Sequence, residues 1–123
     1  MRDTLLLVEH PPVFTLGRLQ SCEANVRVTR EEIEAAGASV VQSERGGNVT
    51  FHGPGQLVAY PILDLNGHRK DMRWFVHSLE DAMIATAAAF GVTARRGVAG
   101  EEGIWVDDRK LGALGVHVSR WVT

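Results

Sequence analysis

The side chains best suited to chemistry gather in one glycine-dense stretch, Glu44 to Asp64, with the sequence ERGGNVTFHGPGQLVAYPILD. Arg45-Gly46-Gly47 sets a permanent cation beside backbone that carries no Cβ, which lets the chain approach a ligand closely. His52 stands between a strand end and the turn His52-Gly53-Pro54-Gly55, where an imidazole can reach into a cleft. A histidine so placed reads as a structural hydrogen-bonder or as a catalyst, and His10, before Pro11-Pro12, carries the same two readings. His68, His77 and His117 read as surface or packing residues. The sequence holds no HxxxH or CxxC spacing, so no metal site is expected. It has neither a GK[ST] phosphate loop nor a GxGxxG dinucleotide turn. RGG alone also fits a β-hairpin with a decorated turn. Together with His52 it reads as a binding floor.

Two further groups come into question. Lys110 opens Lys110-Leu111-Gly112-Ala113-Leu114-Gly115, a run of small residues against which a chain or a carbonyl can lie. On spacing alone, Lys110 is a solvated lysine at a strand start. Cys22 is a nucleophile only by elimination. In Gln20-Ser21-Cys22-Glu23 the acidic neighbour raises, rather than lowers, a thiol pKa of about 8.5, so Cys22 reads as incidental. Trp105 reads as core, preceded by a mobile loop at Gly100 to Gly103.

Elements must hold these groups in place. Leu5 to Val8 and Val13 to Leu16 read as short strands separated by His10-Pro11-Pro12. Thr29 and Glu32 have the spacing of a capping box that starts a brief helix closed by Gly37. Ser39 to Ser43, Val49 to Phe51 and Leu57 to Leu63 read as strands. Asp71 opens the one long helix, whose Met72, Phe75, Val76, Leu79, Met83, Ala87 and Phe90 recur every three or four residues until Gly91. Strands follow at Thr93 to Arg95, Gly103 to Val106 and Lys110 to Val118. Strands outnumber helices without regular alternation, so the fold class is α+β with a mixed or antiparallel sheet.

At 123 residues the chain has room for a single domain, 1–123. A net charge of −2 and the lack of a basic run argue against nucleic acid. Nothing resembles a membrane span or a signal peptide. The single cysteine excludes an internal disulfide and fits a reducing cytoplasm.

Arg45 to Leu65, RGGNVTFHGPGQLVAYPILDL, resembles the signature of the octanoyltransferases, and EHPPVFTLGR and GIWVDDRKLGALGVHVSRWVT resemble their flanking segments. The resemblance runs over nearly the whole chain in the right order. It implies the α+β fold shared with lipoate- and biotin-protein ligases. It also implies transfer of an octanoyl group from acyl carrier protein to a lysine of lipoyl domains, those of 2-oxoacid dehydrogenases and the glycine-cleavage H protein. No cofactor is implied. By the same resemblance Arg45, Gly46, Gly47, Asn48, Val49, Thr50, Phe51 and His52, with Ala113, Leu114 and Gly115, contact the acyl substrate. Lys110 takes the place of the lysine that partners the catalytic cysteine. That cysteine belongs to a PCG-type motif expected downstream of Thr123, and a strand-and-helix portion is expected before Leu5. The chain thus reads as a central fragment, inactive alone. An ATP-dependent ligase and a non-catalytic acyl-binding module are the alternatives.

Overall fold

In chain order the elements are β1 (Thr4–Glu9), β2 (Val13–Leu16), a 3-10 turn at Glu23–Asn25, α1 (Arg30–Ala35), β3 (Ser39–Gln42), β4 (Thr50–His52), β5 (Leu57–Ile62), a 3-10 turn at Leu65–Gly67, α2 (Met72–Ala89), β6 (Arg95–Arg96), β7 (Ile104–Val106) and β8 (Arg109–Gly112). This computed structural model describes residues 2–19, 23–98 and 102–123. Cys22 and the Gly100 end of the loop expected to be mobile lie outside the described residues. Strands outnumber helices, and parallel and antiparallel pairs both occur, as the α+β expectation requires. The chain divides into two compact units, Met1–Leu65 with Gly115–Thr123, and Asn66–Leu114.

In the first unit β1 and β5 pair antiparallel, Leu6 opposite Tyr60 and Val8 opposite Val58. A second sheet runs β3-β2-β4, parallel between β2 and β3 and antiparallel between β2 and β4. Strand alternation sorts this sheet into two faces. Phe14, Leu16, Val40 and Phe51 lie on one, while Val13, Thr15, Thr50 and His52 lie on the other. The apolar face is backed by α1, whose Ile33 is buried along with Leu16. α1 starts at the expected capping box: the Thr29 hydroxyl accepts from the Glu32 N–H and the Glu32 carboxylate from the Thr29 N–H. Gly37 follows at φ +83°, a conformation that glycine adopts without strain. The last residues return beside β5, where the Leu65 N–H donates to the Trp121 carbonyl and the Thr123 N–H to that of Leu63.

In the second unit α2 carries the expected stripe, with Phe75 buried, but Phe90 is 83% exposed. Phe90 is the C-cap, past the last full turn, and Gly91 at φ +75° ends the helix. The sheet here runs β6-β7-β8, all antiparallel. The strand expected over Lys110 to Val118 stops at Gly112. A run of glycine and alanine has little side chain to pack on a pleated surface. Beyond it the Val116 carbonyl accepts from the Gly46 N–H rather than from a sheet partner. The strand expected at Thr93 to Arg95 reduces to Arg95–Arg96.

Asp71 caps α2, its carboxylate accepting from the Trp74 N–H at 3.0 Å and pairing with Arg69 at 2.9 Å. The Trp74 amide, and after it the Arg69 charge, hold its pKa below the ordinary carboxylate value. A carboxylate depressed in the folded state stabilises above its unfolded pKa, and that contribution is lost as pH falls through the folded value. Asp71→Asn keeps the acceptor and removes the charge. The stability gap between wild type and Asp71→Asn, read by urea denaturation, is therefore expected at neutral pH and should close below about pH 4. A gap independent of pH would show that the charge plays no part.

Candidate functional site

Arg45 lies in the loop between β3 and β4, and its side chain is turned back onto β2. Nη2 donates to the Thr15 carbonyl and to Thr15 Oγ1, each at 2.8 Å, and Nη1 donates to the Gly46 carbonyl at 3.0 Å. Backbone bonds knit three segments together around it. The Arg18 N–H donates to the Arg45 carbonyl, the Leu19 N–H to that of Gly47, and the Gly46 N–H to that of Val116. A Cβ on Gly17 would overlap the Gly47 carbonyl oxygen, and one on Gly115 would lie 2.9 Å from the Gly46 oxygen. These glycines therefore serve an approach of backbone to backbone, besides any approach to a ligand. Gly47 takes φ +87°, and Gly47 and Asn48 stay exposed at the tip of the loop.

His52 continues this polar face. Its Nδ1 lies 2.7 Å from Gln56 Oε1, an acceptor, so Nδ1 carries the proton. Nε2 faces the Thr15 hydroxyl at 3.4 Å, and that same hydroxyl accepts from Arg45. Arg45, Thr15, His52 and Gln56 thus form one hydrogen-bonded line. His10 joins it sideways, its ring 5.7 Å from that of His52 and its Nε2 2.8 Å from the Tyr60 hydroxyl. On the opposite face of the sheet Phe51, 47% exposed, rests against Phe14 with ring centroids 5.0 Å apart. Val49 and Thr50 are half-buried.

In the second unit Lys110 is exposed on β8, its ammonium 5.1 Å from the centre of the Trp105 ring on β7. Ala113 is exposed and Leu114 half-buried. Glu80 of α2 is, among the described residues, the buried carboxylate of this unit, accepting from the Gly103 N–H at 3.3 Å, with Arg96 Nε 3.4 Å from its other oxygen. The Arg96 contact is an ion pair without hydrogen-bond alignment. Glu80 thereby ties the helix to the start of β7.

The structure thus brings Arg45, Gly46, Gly47 and Gly115 together in the first unit with His52 on a shared hydrogen-bond line, while Lys110, Ala113 and Leu114 belong to the second. Sequence reasoning passed over Thr15, Tyr60, Gln56 and Glu80, and it read Trp105 as core where the structure leaves it half-buried. Thr15 was legible only through strand alternation, which sets it on the His52 face. Glu80 was legible as a carboxylate flanking an apolar stripe.

Among the described residues, three small sheets and two α-helices make up this α+β arrangement. The model of the lipoyl protein ligase A/B catalytic domain matches residues 1–123, and the chain belongs to that family. Among curated proteins, an octanoyltransferase of Gloeobacter violaceus is 50% identical over 121 residues, covering 98% of this chain and 51% of that relative. An octanoyltransferase of Geobacter metallireducens is 50% identical, with 98% and 53% covered. The chain spans about half the length of the curated relatives it matches. Among solved structures, lipoate-protein ligase A bound with ATP superposes at TM-score 0.69 and 19% identity, over 87% of this chain and 42% of that one. A bipartite lipoate protein ligase with its E2 lipoyl domain, from Thermoplasma acidophilum, gives 0.63 and 19%, over 79% and 36%. At such identity these structures share the fold. Among the described residues no helix is long and apolar enough to cross a membrane.

Thr15→Val keeps the shape of the side chain and removes the oxygen shared by Arg45 and His52. A half-buried guanidinium then loses one of its acceptors, at a cost of about 1–2 kcal/mol in urea denaturation. Thr15→Ser is expected to retain most of that stability. A valine variant as stable as wild type would mean that backbone carbonyls alone hold Arg45.

Proposed function

We propose that this chain is part of an octanoyltransferase, with residues 1–123 lying within one catalytic domain. In this reading the enzyme moves an octanoyl group from acyl carrier protein to a lysine of lipoyl domains, those of 2-oxoacid dehydrogenases and the glycine-cleavage H protein. The observation that carries the reading is the match to proteins named octanoyltransferase over 98% of the chain at about half of all positions. Likeness to the ligases extends to the fold. A cytoplasmic location goes with this reading, since a single cysteine suits a reducing compartment.

The chemistry runs in two balanced steps. A cysteine thiolate, supplied from the length of the relatives that this chain does not span, attacks the carrier thioester. A new C–S bond forms, the old one breaks, and the carrier leaves as a thiolate that takes up a proton. The acceptor amine then attacks the enzyme thioester, a C–N bond forms, the enzyme C–S bond breaks, and the amine gives up a proton. Two easier steps replace one difficult one. Lys110 is assigned to favour the thiolate by its positive charge and to accept the amine's proton. In the first unit, Arg45, Gly46, Gly47, Asn48 and Thr50 are assigned to contact with the acyl substrate. Val49 and Phe51 offer apolar surface to the tail, which gains about 0.8 kcal/mol per buried CH₂. His52 orders the loop, and Gly115 fixes the crossing beside Arg45. In the second unit Ala113 and Leu114 are assigned to acyl contact.

The test supplies a full-length protein carrying this sequence with octanoyl-carrier or with octanoate and ATP, and follows the mass of a lipoyl domain. Transfer from the carrier without ATP is expected. Transfer only from octanoate with ATP would make it a ligase, and no transfer from either would make it a binding module. Lys110→Ala is expected to lower single-turnover transfer by about 10² to 10⁴ and to move the alkylation pKa of the catalytic thiol towards about 8.5. Lys110→Arg should rescue little, because an arginine cannot accept the proton. Unchanged transfer and alkylation in Lys110→Ala would leave Lys110 a solvated strand-end lysine.

A further inference from the structure

We infer that Trp105 is a positioning residue for Lys110, an inference that rests on the catalytic reading of Lys110 above. The register of β7 and β8 is the starting point. Ile104 faces Gly112 and Val106 faces Arg109, so three residues of β7 oppose four of β8, and the ladder shifts between Ile104 and Trp105. Leu111 is the residue left over, a β-bulge. In an unbroken ladder counted from the Ile104–Gly112 pair, Trp105 would oppose Leu111 and Lys110 would oppose Val106. Counted from the turn at Asp107-Asp108, Val106 faces Arg109 and Lys110 faces Trp105, and the bulge follows only past that pair, so the two-residue turn sets both side chains on the same face of the sheet.

The contact that results has the geometry of a cation–π pair, with Nζ 5.1 Å from the ring centre. Trp105 is half-buried while Lys110 is exposed, so the ring is the fixed partner and the lysine the one being held. A free lysine side chain samples many rotamers. A ring face beneath the ammonium narrows them while leaving N–H donors directed outward, whereas a carboxylate partner would engage those donors. Arg95, across Trp105 on β6, donates to the carbonyls of Arg96 and Asp107. Asp107 takes φ +53° in the turn between the two strands. An indole face, placed by the hairpin register, thus sets the direction from which Lys110 faces the catalytic thiol and the incoming amine.

The test uses the full-length protein carrying this sequence, labelled at lysine Cε, with the Lys110 signal assigned by its loss in Lys110→Arg. Upfield Hε resonances, from the indole ring current, are expected in the wild type. The shift should persist, reduced, in Trp105→Phe and vanish in Trp105→Leu. Single-turnover octanoyl transfer should fall about tenfold to a hundredfold in Trp105→Leu, as for a displaced catalytic group, with KM for the octanoyl-carrier nearly unchanged. Trp105→Phe should recover most of the rate, a rescue that lost packing volume would not follow. Trp105→Met takes the place of the leucine variant if the latter unfolds. Unshifted Hε resonances in the wild type would overturn the inference, as would wild-type transfer in Trp105→Leu. If Lys110→Ala is inactive while Trp105→Leu is fully active, the positioning role alone fails. If Lys110→Ala is itself fully active, the catalytic reading of Lys110 fails and this inference fails with it.

Discussion

Gly17 and Gly47 bring two stretches of backbone so close that a methyl group on Gly17 would overlap the Gly47 carbonyl oxygen. The other features of the first unit's polar face are built around that crossing. It brings Arg18 and Leu19 within hydrogen-bonding reach of the Arg45 and Gly47 carbonyls. It also turns the Arg45 guanidinium onto Thr15, and Thr15 in turn faces the imidazole of His52. Gly115 repeats the device from the other end of the chain, lying against the Gly46 carbonyl and the Arg45 stem. A guanidinium engaged by two carbonyls and a hydroxyl is a fixed group, and it holds the loop at its base.

Much of this was legible in the sequence, for identifiable reasons. Local signals act within a few residues, so the Thr29–Glu32 capping box, the Asp71 cap and the glycine at position 91 could be read directly and stand in the structure as expected. The strands around the RGG segment were legible from their apolar runs. Long-range pairing was not. Nothing in the spelling of Val13-Phe14-Thr15-Leu16 says that it pairs parallel with Ser39–Gln42 and antiparallel with Thr50–His52, and only that pairing sets Thr15 beside His52. The pairing that sets Lys110 against Trp105 was hidden for the same reason, since register belongs to two strands at once. The strand expected over Lys110 to Val118 stops at Gly112, where glycine and alanine offer little side chain to pack on a pleated surface.

The glycines also changed meaning once the structure was known. A dense run of them reads as backbone left bare for a ligand. Here Gly17 and Gly115 are bare because other backbone lies against them, while Gly47, exposed at the loop tip, keeps the first reading open. The two uses are compatible: a loop pinned at its base by glycine contacts can present its tip rigidly. The chain belongs to the lipoyl protein ligase A/B catalytic domain family, and the proposal above assigns this loop to acyl binding.

The central claim is that acyl transfer passes through a cysteine thioester and that Cys22 is not the cysteine involved. Intact-mass and peptide mapping of the full-length protein carrying this sequence, after incubation with octanoyl-carrier, addresses it directly. The expected result is one hydroxylamine-labile octanoyl adduct on a cysteine other than Cys22. An adduct on Cys22, or transfer to a lipoyl domain with no adduct formed even in single turnover, would contradict it.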